Sequence, residues 1–68
     1  MKKNTSISFV VPAYNCERTI AESVYSIING NFEPKDEIIL INDGSNDRTL
    51  KIVRKLQKKY SFITIIDN

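Results

Sequence analysis

A single stretch of the sequence, Glu37–Thr49, constrains the fold of this chain most strongly. It contains four consecutive β-favouring apolar residues, Ile38 to Ile41, which lead directly into the polar turn Asn-Asp-Gly-Ser. A segment with helical apolar spacing follows that turn. In α/β proteins a ligand site is commonly formed where a buried strand ends in a carboxylate, followed by a glycine and then by the start of a helix. The stretch therefore predicts an α/β domain in which Asp43 faces a ligand.

The rest of the chain alternates predicted strands and helices. Strands are predicted over Ile7–Val11, Glu37–Asn42 and Phe62–Ile66, because each run is rich in β-branched and aromatic residues. The first helix is predicted to begin at an N-cap, Asn15, and to end at a C′ glycine, Gly30. Its apolar stripe is Ile20, Val24, Ile27 and Ile28.

The second helix is predicted to be capped by Ser45 or Asn46, with Asp47 in its first turn. One side of this helix is apolar, and it consists of Leu50, Ile52, Val53, Leu56 and Tyr60. The other side is basic, and it consists of Arg48, Lys51, Arg54, Lys55, Lys58 and Lys59. We interpret this basic side as a solvated face; contact with anionic lipid or nucleic acid is the weaker alternative.

A βαβαβ order predicts a parallel three-stranded sheet with right-handed crossovers. Two strand orders are open at this point. In the order 3-2-1 both helices cover one face and the other face is bare, whereas in the order 2-1-3 each face receives one helix. The strands are nearly continuous apolar runs, which is typical of strands buried on both faces. Two helices are too few to cover such a sheet, so the sequence predicts the first half of a doubly wound domain. We expect the missing half, or a second copy of the chain, to cover the remaining apolar surface.

The composition excludes several classes of protein and site. With 68 residues, 41% apolar and 26% charged, the chain is one small domain or part of a larger one, and we expect residues 1–5 to be disordered. A net charge of +2 does not indicate nucleic-acid binding. Because the sequence has no histidine and a single cysteine, it offers neither a Cys/His metal cluster nor a Ser/His/Asp triad. The unpaired cysteine favours a reducing, cytoplasmic setting, and no apolar run is long enough to span a membrane.

Two polar clusters, Pro12–Glu17 and Asn42–Asp47, follow the first two predicted strands. Because neighbouring parallel strands end at the same edge of a sheet, these clusters should meet over one crevice. The crevice would offer the ring of Tyr14 for stacking, and amide, hydroxyl and carboxylate groups for hydrogen bonds, as a nucleoside requires. The alternative is that Asn-Asp-Gly-Ser serves only as turn and cap chemistry.

Other motifs are absent or incomplete. Neither glycine-rich phosphate-binding pattern occurs, since Gly30 and Gly44 are the only glycines. The sequence around Asp43 lacks the glycine and the bidentate glutamate of a calcium loop. Cys16, near a predicted helix N-terminus, could be acidified, but without a neighbouring base we interpret it as a packing residue.

The two clusters together resemble a known family. Ile-Ser-Phe-Val-Val-Pro-Ala-Tyr-Asn-Cys-Glu, followed about thirty residues later by Ile-Ile-Leu-Ile-Asn-Asp-Gly-Ser-Asn-Asp-Arg-Thr, is similar to the start of family 2 glycosyltransferases with the GT-A fold. The resemblance covers the chain from Ile7 onward. It implies the strand order 3-2-1, a Rossmann-like half-domain, and an inverting enzyme that builds polysaccharides or cell-surface glycans from nucleotide sugars.

The resemblance also implies roles for individual residues. Pro12, Ala13 and Tyr14 would line the pocket for the base and ribose, and Asp43 would accept a hydrogen bond from the base, most often uracil. Glu17 would approach the ribose or the pocket wall. Asn42 stands where many members of the family have aspartate, which is a mild departure from their Asp-Asp-Gly-Ser.

A larger departure concerns the catalytic groups. Family members carry an Asp-x-Asp metal motif and a later catalytic carboxylate, and the 68 residues contain no Asp-x-Asp. We therefore assign no catalytic and no metal-binding residue, and we expect the chain alone to transfer no sugar. The complete enzyme would use Mg²⁺ or Mn²⁺ and a single in-line displacement.

Three hypotheses follow. The leading one is the nucleotide-sugar-binding portion of a glycosyltransferase, with a UDP-sugar as ligand and no nucleic-acid partner. It implies a cytoplasmic location, with peripheral association of the complete enzyme at the cytoplasmic face of a membrane, and a homo-oligomer of this chain through the exposed sheet. The second is a non-catalytic βαβαβ module that assembles with itself or binds a partner. The third, a nucleotidyltransferase, is disfavoured because no glycine-rich loop follows the first strand.

Overall fold

A computed structural model describes residues 5–68 of the chain. The elements in order are β1 (Ser8–Pro12), α1 (Ile20–Ile28), β2 (Glu37–Asn42), α2 (Thr49–Lys59) and β3 (Ile63–Asp67). The predicted βαβαβ order is confirmed. The bounds of β2 are as predicted, and β1 and β3 each lie one residue further along the chain than predicted. The predicted disorder of residues 1–5 falls outside the described residues, apart from Thr5, which is exposed.

The three strands form one parallel sheet in the order β1-β2-β3. Read from the other edge this is the order 3-2-1, as the family resemblance implied. Two crossovers of the same hand that step in the same direction place both helices on the same face of the sheet. The helices pack against each other on that face, and α2 also contacts β2 and β3.

The core lies between the helices and one face of the sheet. Alternate residues of β2 are buried, as expected for a strand with one covered face. The fully apolar part of the core consists of Ala13, Ile20, Val24, Ile38, Leu40, Val53, Leu56 and Ile63. The apolar stripes predicted for the two helices supply half of these side chains. The apolar spacing of 3.6 residues therefore identified the buried sides of both helices correctly.

The opposite face of the sheet is open and apolar. On this face Val10 lies beside Ile39, and Ile41 lies beside Ile66. Val10 is 58% exposed and Ile66 is 43% exposed, while the two isoleucines of β2 are half-buried. The bare face predicted for the order 3-2-1 is therefore confirmed, and this "open sheet face" comprises Val10, Pro12, Ile39, Ile41 and Ile66.

Both helices begin later than the sequence predicted. Asn15 is not the N-cap of α1, which starts at Ile20 after a turn in which Ile20 N–H donates to Cys16 O at 2.9 Å. Neither Ser45 nor Asn46 caps α2. Its N-cap residue is Arg48, which makes no side-chain cap hydrogen bond, and Thr49 N–H at the start of the helix donates to Asp47 Oδ1 at 2.9 Å. The predicted caps are wrong because Asn15 and Ser45 use their side chains, and Asn46 its backbone N–H, to hydrogen-bond between the two loops, as described below.

The end of α1 agrees with the sequence. Asn29 is the C-cap, and Gly30 follows it at C′, where its N–H donates to Ile27 O at 3.2 Å. Across residues 5–68, neither helix has the length and apolar character needed to cross a membrane.

Candidate functional site

Two loops meet at the edge of the sheet where the strands end. Loop 1 (13–19) follows β1, and loop 2 (43–48) follows β2. The backbone pairing continues one residue past β1, because Ala13 N–H donates to Ile41 O at 2.7 Å. Tyr14 and Asp43 are then the first residues beyond the paired backbone on neighbouring strands. The predicted meeting of the two polar clusters is confirmed.

The loops are joined by a pair of polar side chains, Asn15 and Ser45. Asn15 N–H donates to Ser45 Oγ at 3.0 Å, and that hydroxyl donates in turn to Ala13 O at 3.1 Å. In the other direction, Asn46 N–H donates to Asn15 Oδ1 at 2.7 Å. Asn15 has a φ of +46°, a left-handed conformation that asparagine adopts more readily than most residues. The sequence pointed to a helix cap here because the same side chain suits both uses.

A second junction ties loop 1 to the start of α2. The buried hydroxyl of Thr49 accepts a hydrogen bond from Cys16 N–H at 2.8 Å and donates to Asp47 Oδ1 at 2.5 Å. The other carboxylate oxygen of Asp47 accepts from Glu17 N–H at 3.3 Å. These bonds, first of all the one from the Thr49 hydroxyl, hold the pKa of Asp47 below its usual value. Asp47 is therefore committed to holding the loops together.

Tyr14, Asp43 and Pro12 are predicted site residues with exposed side chains close to the ends of β1 and β2. Tyr14 is 55% exposed, and Asp43 and Pro12 are also exposed. Gly44, next to Asp43, has a φ of +72°, a conformation that favours glycine and turns the chain sharply after the carboxylate. The structure thus presents an aromatic ring and a carboxylate on two adjacent, mutually bonded loops.

Tyr14 is separated from the other aromatic side chains of the molecule. The other five rings form a continuous row near the opposite end of the sheet, with centroid distances between 4.6 and 6.3 Å, in the order Phe9, Phe32, Phe62, Tyr60 and Tyr25. Those rings pack on one another, and all of them except Tyr25 also pack on the core. Because Tyr14 makes none of these ring contacts, its face is free to stack on a planar ligand.

Two of the predicted site residues, Ala13 and Glu17, do not present their side chains beside Tyr14 and Asp43. The Ala13 side chain is fully buried, so this residue presents only backbone to a ligand, and its carbonyl oxygen is occupied by Ser45. Glu17 is exposed and lines a depression of about 250 Å³ on the α2 side of loop 1, together with Arg48, Lys51, Ile52 and Lys55. Neither Tyr14 nor Asp43 lines this depression. The approach of Glu17 to the ribose of a bound nucleotide stays a prediction.

Asn42 lies beneath the loops at the end of β2. It is only 3% exposed, and its Nδ2 donates to Asp67 Oδ1 at 2.8 Å at the end of β3. Asp67 Oδ2 lies 3.5 Å from an Arg54 guanidinium nitrogen. Asn42 Oδ1 is buried without a hydrogen-bond partner among the described residues. An amide at position 42 suits this site because it supplies the proton that the Asp67 carboxylate accepts.

Thr49 and Asp67 are structural parts of the site that the sequence did not reveal. The hydroxyl of Ser45 was expected in the crevice, but its role as a bridge between the loops was not. Their partners lie 25 to 33 residues away in the chain, so no local pattern connects them. One local signal was present: Asp-x-Thr at a helix start is suited to the side-chain-to-backbone turn that Asp47 and Thr49 form.

Cys16 behaves as a packing residue. Burial raises the pKa of its thiol, and the nearby negative charge of Asp47 acts in the same direction, against a hydrogen bond with Thr49. The suggested acidification by a helix N-terminus is not found, because α1 begins only at Ile20. The side chain packs against the core.

A divalent cation needs a cluster of acidic, cysteine or histidine side chains as ligands. Residues 5–68 contain no group of three or more acidic, cysteine or histidine side chains placed to hold a metal ion. Asp47, the acidic residue nearest in sequence to Asp43 within loop 2, is engaged by Thr49 and Glu17. These residues do not fit the Mg²⁺ or Mn²⁺ expected in the complete enzyme.

Comparison with known proteins gives a consistent result. Residues 8–68 match the sequence model of glycosyl transferase family 2. The chain is 40% identical over 68 residues to the "Probable glycosyltransferase YdaM" of Bacillus subtilis (strain 168), covering 97% of this chain and 16% of that protein. It is 48% identical over 62 residues to an "Uncharacterized glycosyltransferase" of Haemophilus influenzae, covering 91% of this chain and 19% of that protein.

A third relative has a more specific name. The chain is 38% identical over 56 residues to the "Poly-beta-1,6-N-acetyl-D-glucosamine synthase" of Staphylococcus epidermidis, covering 82% of this chain and 13% of that protein. The chain therefore spans less than a fifth of the length of each of these three relatives.

Proposed function

Since the chain belongs to glycosyl transferase family 2, we propose that it binds the nucleotide of a sugar donor, a UDP-sugar, for an inverting glycosyltransferase. The observation that carries this proposal is the pair of exposed side chains, Tyr14 and Asp43, held on two loops that are hydrogen-bonded to each other. A relative named as a polysaccharide synthase supports a role in polysaccharide or cell-surface glycan synthesis.

Uracil matches the chemistry that these two side chains offer. Its ring presents a flat face, which stacks on the exposed ring of Tyr14. Its ring N–H is a donor, and a carboxylate such as Asp43 accepts only. A charge-assisted hydrogen bond of this kind is stronger than a neutral one, so it favours a base that carries a donor at this edge. Pro12 and the backbone of Ala13 form the wall next to Tyr14.

Preorganisation of the loops supports the same proposal. The bonds of Asn15, Ser45 and Asp47 fix loop 1 against loop 2 before any ligand arrives. A ligand that bridges Tyr14 and Asp43 therefore does not have to order two separate loops. Ordering the loops on binding would cost free energy and reduce the affinity of the ligand.

We propose that sugar transfer needs groups outside residues 5–68. No residue described here is assigned as the carboxylate that takes the proton of the acceptor hydroxyl. The divalent ion of the complete enzyme would be held by other residues, because no suitable ligand cluster occurs among those described. Within the complete enzyme, this portion binds and orients the donor. We propose a cytoplasmic location, in keeping with the one free cysteine.

A titration with UDP, followed by NMR, tests the proposed site. We expect shifts concentrated at Tyr14 and Asp43 at millimolar UDP, and we expect Asp43→Ala to weaken binding about tenfold to a hundredfold, since a charged acceptor is lost. Glu22→Ala is the matched control, because Glu22 is exposed on α1 and its removal changes the net charge equally. An absence of shifts at millimolar UDP, or equal affinities for the two variants, would refute the site.

A second function rests on a different observation, the open sheet face. Since Val10 and Ile66 are exposed on a face that also carries two half-buried isoleucines, we propose that this chain associates with itself through that face. Exposed contiguous apolar surface of this kind marks interaction sites in soluble proteins. A non-catalytic assembly module would use the same face without any nucleotide.

Sedimentation velocity over a range of concentrations measures this self-association. Val10→Lys should shift the chain toward monomer, because it places a charge on the open sheet face beside Ile39. Ser23→Lys adds the same charge on an exposed position of α1, and should leave the association unchanged. A wild-type chain that is strictly monomeric at high concentration would rule out the proposal.

A further inference from the structure

Charge is distributed very unevenly in this molecule, although the net charge is small. The segment Arg48–Lys59 carries six of the ten lysine and arginine residues and none of the eight carboxylates. The remaining residues therefore hold four cations against eight carboxylates. A solvated surface helix ordinarily mixes charges of both signs. α2 does not, since it contains no acidic residue in its eleven positions.

Four of these cations share one surface. Lys51, Arg54, Lys55 and Lys58 follow one another at helical spacing and line a common depression of about 530 Å³ with Leu50, Ser45 and Asp47. We call these four residues the basic face of α2. All four are exposed. Lys59 does not belong to it, because its Nζ lies over the rings of Tyr25 and Tyr60, at 5.5 and 5.3 Å from their centroids.

Few carboxylates of the molecule neutralise the basic face. Asp67 contacts Arg54 at 3.5 Å, but both side chains are substantially exposed, so this ion pair contributes little. Asp47 lines the same depression and is engaged by Thr49, and Glu17 lies at the neighbouring depression with Lys51 and Lys55. Among the described residues, Lys51, Lys55 and Lys58 take part in no ion pair with a carboxylate.

We propose that the basic face of α2 docks on a membrane surface rich in acidic phospholipids. Such a surface attracts clusters of lysine and arginine, each of which strengthens binding about fivefold. Side chains on one face of a rigid helix can approach a plane together, and flexible lysines suit a fluid layer of phosphate groups. Docking through this face is independent of nucleotide binding by Tyr14 and Asp43, and it leaves the open sheet face uncovered.

Single-stranded nucleic acid is a less suitable partner for the same surface. Binding to single strands combines cations with aromatic rings on which bases stack, and no ring lines the depression that holds the basic face. Tyr25 and Tyr60 are occupied by each other and by Lys59. The structure therefore favours a lipid headgroup layer over a single strand, because the headgroup layer needs charge but no stacking.

Co-sedimentation of the full chain with vesicles tests the proposal. We expect binding to vesicles of equimolar phosphatidylglycerol and phosphatidylcholine at low salt, and none to phosphatidylcholine alone. Lys51→Gln/Lys55→Gln should weaken binding about twenty-five-fold, from two losses of about fivefold. High salt should release the wild-type chain, because exposed charges are screened.

The matched control is Arg18→Gln/Lys35→Gln, which removes the same charge away from α2 and should change binding no more than about twofold. Circular dichroism confirms that both double variants fold, as expected for exposed positions. Equal losses in the two variants would show that net charge alone drives binding, and would overturn the proposal. The proposal would also be overturned if the chain did not bind the acidic vesicles. It would be overturned as well if a single-stranded oligonucleotide displaced the chain from these vesicles at a lower concentration than phosphatidylglycerol does.

Discussion

Asn42→Asp is expected to lower the free energy of unfolding by about 3 kcal/mol at neutral pH, and the melting temperature by about 15 °C. The reason is the 2.8 Å hydrogen bond from Asn42 Nδ2 to Asp67 Oδ1, in a site where Asn42 is only 3% exposed. The substitution removes the donor and places a second carboxylate against the first. Thermal unfolding followed by circular dichroism measures the effect.

The double variant Asn42→Asp/Asp67→Asn is the control for this explanation. It exchanges donor and acceptor across the same pair, so we expect it to recover part of the lost stability. Recovery is incomplete because the carboxylate then occupies the buried position and no longer contacts Arg54. Lowering the pH should also narrow the difference between Asn42→Asp and wild type, because protonation of one of the two carboxyl groups restores a donor. A single variant that melts within about 2 °C of wild type, or a double variant without recovery, would contradict this account.

The second large effect is expected at Thr49, which is fully buried at the junction of the loops. Thr49→Val keeps the volume but removes the hydroxyl that accepts from Cys16 N–H and donates to Asp47. The partly buried N–H of Cys16 is then left unpaired and the hydrogen bond to Asp47 is lost, which together cost about 2 kcal/mol and lower the melting temperature by about 10 °C. Because that hydroxyl is the main cause of the lowered pKa of Asp47, the pKa should rise toward its usual value in the variant.

Thr49→Ser separates the hydroxyl from the methyl group. It keeps both hydrogen bonds and loses one methyl, which costs about 1 kcal/mol. We therefore expect Thr49→Ser to be more stable than Thr49→Val, although valine is the more hydrophobic residue. The reverse order would mean that packing, and not the hydrogen-bonded junction, is what Thr49 contributes. Melting curves and an NMR titration of the Asp47 carboxyl provide the two measurements.

Much of the fold could be predicted from the sequence because its signals are local. The four apolar residues before Asn42 gave the bounds of β2, and the spacing of Ile20 and Val24 identified a buried helical stripe. Loop chemistry was less predictable. Asn15 is suited both to an N-cap and to a left-handed turn. Its role depended on Asn46, which lies 31 residues further along the chain and whose backbone N–H donates to Asn15 Oδ1.

Family resemblance, and not periodicity, chose between the two strand orders. The residues alone were compatible with 3-2-1 and with 2-1-3, because both crossovers connect parallel strands of the same hydrophobic character. The structure has β2 in the centre, and the helices share one face. The same result accounts for the exposure of Val10 and Ile66 on the uncovered side.

The sequence by itself determined the element types, their order and the placement of Tyr14 and Asp43 at one edge of the sheet. These follow from backbone propensity, from side-chain periodicity and from the geometry of parallel strands, none of which needs a distant partner. Only the tertiary structure decided which polar groups are free and which are engaged. It paired the Thr49 hydroxyl with Cys16, buried Asn42 against Asp67, and left Asp43 exposed. The physical reason is that a buried polar group must find a hydrogen-bond partner, and the fold brings that partner from a remote part of the chain.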